Sequence, residues 1–82
     1  MDSITKMMYD FFADLWKLIK KYATLPHTDQ EWEKLIEEAD EVYNKHKGDA
    51  DSPESWFFKQ LVVDWMEYIH QREIKRINEA KQ

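Results

Sequence analysis

The stretch that decides the fold is residues 28–54, TDQEWEKLIEEADEVYNKHKGDADSPE, because it contains a complete helix together with the start of the next one. Thr28-Asp29-Gln30-Glu31 has the form of a capping box. The Thr28 hydroxyl can accept from the Glu31 N–H while the Glu31 carboxylate reaches back to the Thr28 N–H. Behind it Trp32, Leu35, Ile36, Ala39, Val42 and Tyr43 recur at steps of three and four, the spacing of one helical face. Lys45, His46 and Lys47 then place cations at the negative end of the helix dipole. Gly48 follows where a left-handed C-terminal residue is wanted. Ser52-Pro53-Glu54 restarts the pattern, with Ser52 as cap and Pro53 at the first helical position, where its missing N–H costs nothing.

Working outward in both directions gives two further helices. On the N-terminal side Ile4, Met8, Phe11, Leu15, Leu18 and Tyr22 share one face. Asp2 or Ser3 can cap its start, and Lys17, Lys20 and Lys21 sit near its end. Pro26 disfavours helical geometry at Leu25 and closes the segment. On the C-terminal side nothing interrupts the third helix until about Glu79. The predicted helices are thus about 3–22, 29–47 and 53–79, with lengths of about 30, 27 and 40 Å at 1.5 Å per residue. Short turns between them favour an all-α, antiparallel, up-down-up three-helix bundle with a long C-terminal helix. The 82 residues form one domain, 1–82, in which only about 60–65% of the unfolded surface can be buried.

Composition narrows the functional classes. There is no cysteine, which excludes a disulfide, a thiolate zinc site and a thiol nucleophile. One glycine and two prolines leave no material for a phosphate-binding loop. Residues Met1–Lys6 carry neither the basic stretch nor the apolar core of a signal peptide. No apolar run approaches the ~20 residues of a membrane span. The expectation is a soluble, cytoplasmic protein without membrane association.

The formal charge of −5 is unevenly spread. Seven acids between Asp29 and Glu41 face a single Lys34. The basic residues lie elsewhere, as Lys17, Lys20 and Lys21 and then Arg72, Lys75 and Arg76. No concentrated basic face results, and direct nucleic-acid binding is disfavoured. The acids Glu33, Glu37, Glu38, Asp40 and Glu41 instead form a candidate partner-binding face. Carboxylates every three or four residues along a rod can imitate a nucleic-acid backbone, and their charge complementarity would raise on-rates and select partners. A solvated outer face is the plainer alternative.

The third helix carries more apolar surface than a small bundle needs. Phe58, Leu61, Val62, Trp65, Tyr68 and Ile69 form a stripe sufficient to pack on two neighbours. Val63, Met66, His70, Ile74 and Ile77 form a second stripe, roughly opposite. A helix apolar on two sides pairs with something else, so this stripe is a candidate self-association or partner seam, and a homodimer formed through it is the expectation. A bend in the helix, or a first helix that wraps further round, would explain it too. Helix 1 has a similar excess, with Tyr9 and Trp16 at the polar edge as candidate contact aromatics.

Chemistry is sparse. His27, His46 and His70 have no i, i+4 partner of the kind a helical zinc pair needs. Asp49-Ala50-Asp51 lacks the remaining ligands of a calcium loop. Glu37, Asp40 and Glu41 could hold a divalent ion but read more simply as solvated acids. No catalytic constellation, metal site or cofactor is expected. The segment from Asp29-Gln30-Glu31-Trp32 through Tyr43-Asn44-Lys45-His46-Lys47, about a quarter of the chain, resembles a segment of small helical proteins from phages and conjugative elements of gut Firmicutes. That resemblance implies a setting of short, host-directed inhibitors that includes anti-CRISPR proteins, and it implies no catalytic residues. The functional expectation is a non-enzymatic protein-binding module, in its more specific form a mobile-element inhibitor of a host nucleic-acid-processing complex; a structural homodimeric subunit or scaffold is the alternative.

Overall fold

The computed structural model describes residues 2–81 and contains three helices, α1 (Ser3–Lys21), α2 (Asp29–His46) and α3 (Pro53–Ala80). Each boundary has the chemical cause read from the sequence. The Asp2 carboxylate accepts from the Thr5 N–H at 2.7 Å and caps α1. Thr28 and Glu31 close the capping box of α2 in both directions, at 3.1 Å each. Ser52 accepts from the Ser55 N–H at 3.1 Å with Pro53 behind it. Tyr22 and Lys47 cap α1 and α2 at their ends. Gly48 follows Lys47 with φ +58°, a left-handed conformation that glycine adopts without a Cβ penalty.

Contacts between helices give the directions. Tyr22, at the end of α1, meets Glu38 in the middle of α2, while Asp14 meets His46 at the end of α2. Those two helices are therefore antiparallel. Tyr43 meets Ser55 and Trp32 meets His70, so α2 and α3 are antiparallel as well. Phe11 stacks on Phe58, Phe12 meets Phe57, and Tyr22 meets Trp65, so α1 and α3 run in the same direction. The all-α three-helix architecture is the expected one.

Two clusters make one continuous core. Phe11, Leu15, Ala39, Phe58 and Val62 fill one half, and Leu18, Tyr22, Leu35 and Ile69 fill the other. Val42, Trp65 and Met66 are partly buried against both halves. The Phe11 and Phe58 rings lie 4.0 Å apart and nearly parallel. Both are fully buried, and burying an aromatic ring of this size stabilises by roughly 1.5–3 kcal/mol relative to leaving it in water.

The buried line of α3 runs Ser55-Phe58-Val62-Ile69-Glu73, and this corrects the sequence reading in three places. Tyr68, assigned to the core stripe, is 60% exposed. Met66, assigned to the outer seam, packs on both core clusters. Ile36, assigned to the buried stripe of α2, is 47% exposed. Ile36 lies at the edge of the apolar arc of α2 whose centre Leu35 and Ala39 bury; Tyr68 and Met66 share one cause, a rotation of α3 about its axis. Its centre of burial lies closer to the side facing α2 than apolar periodicity alone implies, because Ser55 and Glu73, both polar, complete the buried line.

The molecule is elongated, 51 × 22 × 18 Å. At 28 residues α3 is about 42 Å long and outruns its partners. Beyond Glu73 every residue of α3 is exposed.

Candidate protein-binding surface

Three polar knots hold the helices in register. The first joins α1 to α2: Asp14 accepts from His46 Nε2 at 2.7 Å and from Lys45 Nζ at 3.1 Å. The His46 hydrogen bond and then that of Lys45 hold the Asp14 carboxyl down at about 2. The second joins the same helices one end over. The Tyr22 hydroxyl donates to Glu38 Oε1 at 2.9 Å, and Lys21 Nζ donates to the same oxygen at 2.7 Å. Burial, reinforced by the carboxylate it touches, pushes the Tyr22 phenol up to about 12. Burial also pushes Glu38 upward, but the Lys21 and Tyr22 hydrogen bonds outweigh it and leave the carboxyl below its ordinary value.

The third knot sits where the Ala23–Thr28 turn crosses α3. The Arg72 guanidinium donates to the backbone carbonyls of Ala23 at 2.8 Å, Tyr22 at 3.1 Å and Leu25, and so satisfies the capping residue of α1 and two carbonyls of the turn that follows it. Glu73 is 6% exposed, an uncommon degree of burial for a carboxylate. His27 Nδ1 lies 2.8 Å from one of its oxygens and Arg76 Nε donates to the other. The His27 hydrogen bond, helped by Arg76, holds Glu73 below its ordinary value. Periodicity could not flag this residue, because a buried acid looks like an exposed one until its partners are placed. Its only sequence signal was a glutamate at a core position of α3, four residues beyond Ile69. An open cleft of about 420 Å³ lies beside the knot, lined by His27, Arg72, Glu73, Lys75 and Arg76 among others. Its cations are already engaged with carbonyls and carboxylates, or lie on the outer rim.

Among the acids named from the sequence, the structure separates one from the rest. Glu38 is consumed by Lys21 and Tyr22. Glu33, Glu37, Asp40 and Glu41 are exposed and, among the described residues, in no ion pair. They share the side of α2 turned away from the core, which Leu35 and Ala39 define.

The proposed seam divides in a similar way. Val63, Ile74 and Ile77 are 44%, 39% and 42% exposed. Met66 serves the core. The His70 ring meets the edge of Trp32 at 6.3 Å, so this flank of α3 lies against α2 rather than opposite the core. Only Ile74 and Ile77 stand on the overhanging end.

The larger apolar surface lies on the other flank of α3. Of twelve aromatic residues six are exposed: Tyr9, Phe12, Trp16, Trp56, Phe57 and Tyr68. Phe12 and Phe57 meet across the α1–α3 groove with ring centroids 6.3 Å apart. Tyr9 and Trp16 lie three before and four after Phe12, on the same face of α1. Tyr68 lies eleven residues after Phe57, three helical turns on, along the same face of α3. Five of the six exposed aromatics therefore line one groove; Trp56 stands on the other flank, in line with Val63. Tyr9 and Trp16, picked from the sequence as contact aromatics, are 65% and 56% exposed. Periodicity places Tyr68 in the core stripe of α3, leaves Phe57 outside both stripes, and counts Phe12 only within the broad apolar arc of α1, so none of the three reads as a contact aromatic.

Among the described residues no group of three or more His, Asp or Glu side chains could hold a metal ion, and no helix is long and apolar enough to cross a membrane. No family model matches the chain, and comparison with curated proteins and with solved structures finds no match.

Proposed function

We propose that this chain is a non-enzymatic protein-binding module. The observation that carries the reading is the exposure of half its aromatic residues, five of them along the α1–α3 groove. Trp and Tyr are concentrated in binding hot spots because they combine a large apolar area with a polar edge. Large apolar side chains grouped on one face of a small protein mark an interaction site more often than scattered single ones do.

Within this reading, a mobile-element inhibitor of a host nucleic-acid-processing complex, of the anti-CRISPR kind, is the more specific form. Two features support it. The four free carboxylates of α2 form a one-signed rod that suits a basic protein channel, and the segment 29–47 resembles a segment of small helical proteins of phages and conjugative elements, a setting that includes host-directed inhibitors. Affinity capture from a bacterial lysate at moderate salt tests it. Wild-type protein should retain a partner that raised salt or an added DNA duplex releases, because the acidic rod and the duplex compete for one basic surface. A variant combining Glu33→Lys, Glu37→Lys, Asp40→Lys and Glu41→Lys should lose that partner. Capture that is insensitive to these substitutions and to DNA removes the inhibitor form. Recovery of no partner at all removes support from protein binding by the monomer.

A further inference from the structure

We infer that the occupant of the α1–α3 groove is a second copy of this chain, packed face to face about a two-fold axis that runs along the helices. The inference rests on the protein-binding reading and names its partner on this face. Three observations converge on it.

The first is area. The chain exposes 6025 Å², whereas a compact monomer of 10.1 kDa exposes about 5300 Å². The surplus is close to the ~800 Å² that each partner contributes to an interface of standard size. Part of it belongs to the overhanging end of α3, and the five exposed aromatics of the groove belong to the remainder.

The second is charge. A chain of net charge −5 can pair with itself only through a face that carries little of that charge. The acids Glu33 and Glu37 belong to the outer side of α2, and Asp40 and Glu41 border its grooves with α3 and α1, so none of the four lies on the α1–α3 face. The aromatic groove is the face on which two copies meet without bringing those acids together.

The third is the placement of two free charges of opposite sign on the rims of the groove. Lys20 lies four residues beyond Trp16 on α1, and Asp64 lies four before Tyr68 on α3. Neither is in an ion pair among the described residues; Asp64 only accepts from the Gln60 side chain at 2.9 Å. The Phe12–Phe57 and Tyr22–Trp65 contacts set α1 and α3 side by side, so that Lys20 and Asp64 stand at nearly the same height. A two-fold axis parallel to the helices preserves height and lays α1 of each copy over α3 of the other. It brings Lys20 of each copy beside Asp64 of the other, twice per dimer. An isologous interface requires this self-complementarity.

Sedimentation equilibrium on the full chain, from 1 to 500 µM, tests the inference. Wild type should be a dimer at the upper end of that range. Trp16→Glu should weaken the dimer by about 30-fold or more, as expected for a central aromatic hot spot, with helical circular dichroism and monomer melting unchanged. Lys20→Asp and Asp64→Lys should each weaken it, and the double variant should recover most of the loss. Ile77→Asp, on the overhang, should leave it intact. A wild-type monomer at 500 µM overturns the inference, and so does a dimer that Ile77→Asp breaks and Trp16→Glu does not. Failure of the double variant to recover removes the two-fold arrangement stated here. A monomer that still captures a host protein through its aromatic face would overturn the dimer and leave the protein-binding reading standing. A dimer that captures nothing would leave self-association standing and remove only the host-directed form of the reading.

Discussion

The two grooves that flank α3 are built from similar residues and finished differently. On the α2 side the helices are pinned to each other, around an open pocket of about 300 Å³ between Asp40, Tyr43, Lys59, Val63 and Met66. The Tyr43 hydroxyl and Ser55 Oγ meet at 2.9 Å, the Trp32 ring meets His70, and Met66 fills the space between core halves. On the α1 side the helices meet through Phe11–Phe58 and Phe12–Phe57, and Tyr9, Trp16 and Tyr68 are left in water. Aromatic content alone does not bury a surface. On the α2 side a polar atom on one helix finds a polar atom on the other, and the helices are pinned at that point. The open groove has Arg72 tying α3 to the end of α1, but no polar pair along its length.

The sharpest way to break the contrast is at Phe58, which stacks on Phe11 of α1 and shares a core cluster with Ala39 of α2. Phe58→Ala should cost about 3–5 kcal/mol, since a fully buried ring is replaced by a cavity. For a domain this small that is much of the total stability, and urea unfolding followed by circular dichroism should show a largely unfolded variant. A well-folded Phe58→Ala protein would mean that the stacked pair does not organise the core.

The polar knots give the next effect, and its pH dependence has a definite sign. Asp14 is held at about 2 instead of 3.8, so its contribution is complete above about pH 4 and is lost as pH falls toward 2. Asp14→Asn should therefore lower stability at pH 7 by on the order of 2 kcal/mol, and the two proteins should converge near pH 2. Urea titrations at both pH values check this. A gap that persists at pH 2 would assign the loss to packing rather than to the carboxylate.

Tyr43→Phe removes the hydrogen bond that pins the α2 side and should cost about 1 kcal/mol, read from the urea midpoint. The smallest effects belong to the open surfaces. Tyr68→Ala and Ile77→Asp should each change monomer stability by no more than about 0.5 kcal/mol, measured at concentrations below self-association. A loss of more than 2 kcal/mol for Tyr68→Ala would show that the open groove is part of the fold and not a surface.

The helices and their ends were legible in the sequence because they depend on neighbours within four residues. The capping box at Thr28 and Glu31, the Ser52-Pro53 start, and Gly48 at positive φ all satisfy or terminate backbone hydrogen bonds locally. The acidic side of α2 was legible for the same reason, since charge spacing on one helix needs no partner. The exception within it, Glu38, is decided by Lys21 and Tyr22 from another helix.

The rotation of α3 was decided only by tertiary packing. Periodicity locates an apolar arc, but an arc wider than the contact leaves open which part of it is buried. Two polar residues settled the matter: Ser55 by meeting Tyr43, and Glu73 by meeting His27 and Arg76. A polar side chain is buried only where a partner of complementary chemistry is brought to it, and those partners lie 12 and 46 residues away for Tyr43 and His27. Sequence by itself determined that this protein is three capped helices with an acidic middle one and surplus aromatic surface. The tertiary structure decided on which flank of α3 that surplus lies, because long-range polar pairs, rather than the count of apolar residues, choose the face that is pinned.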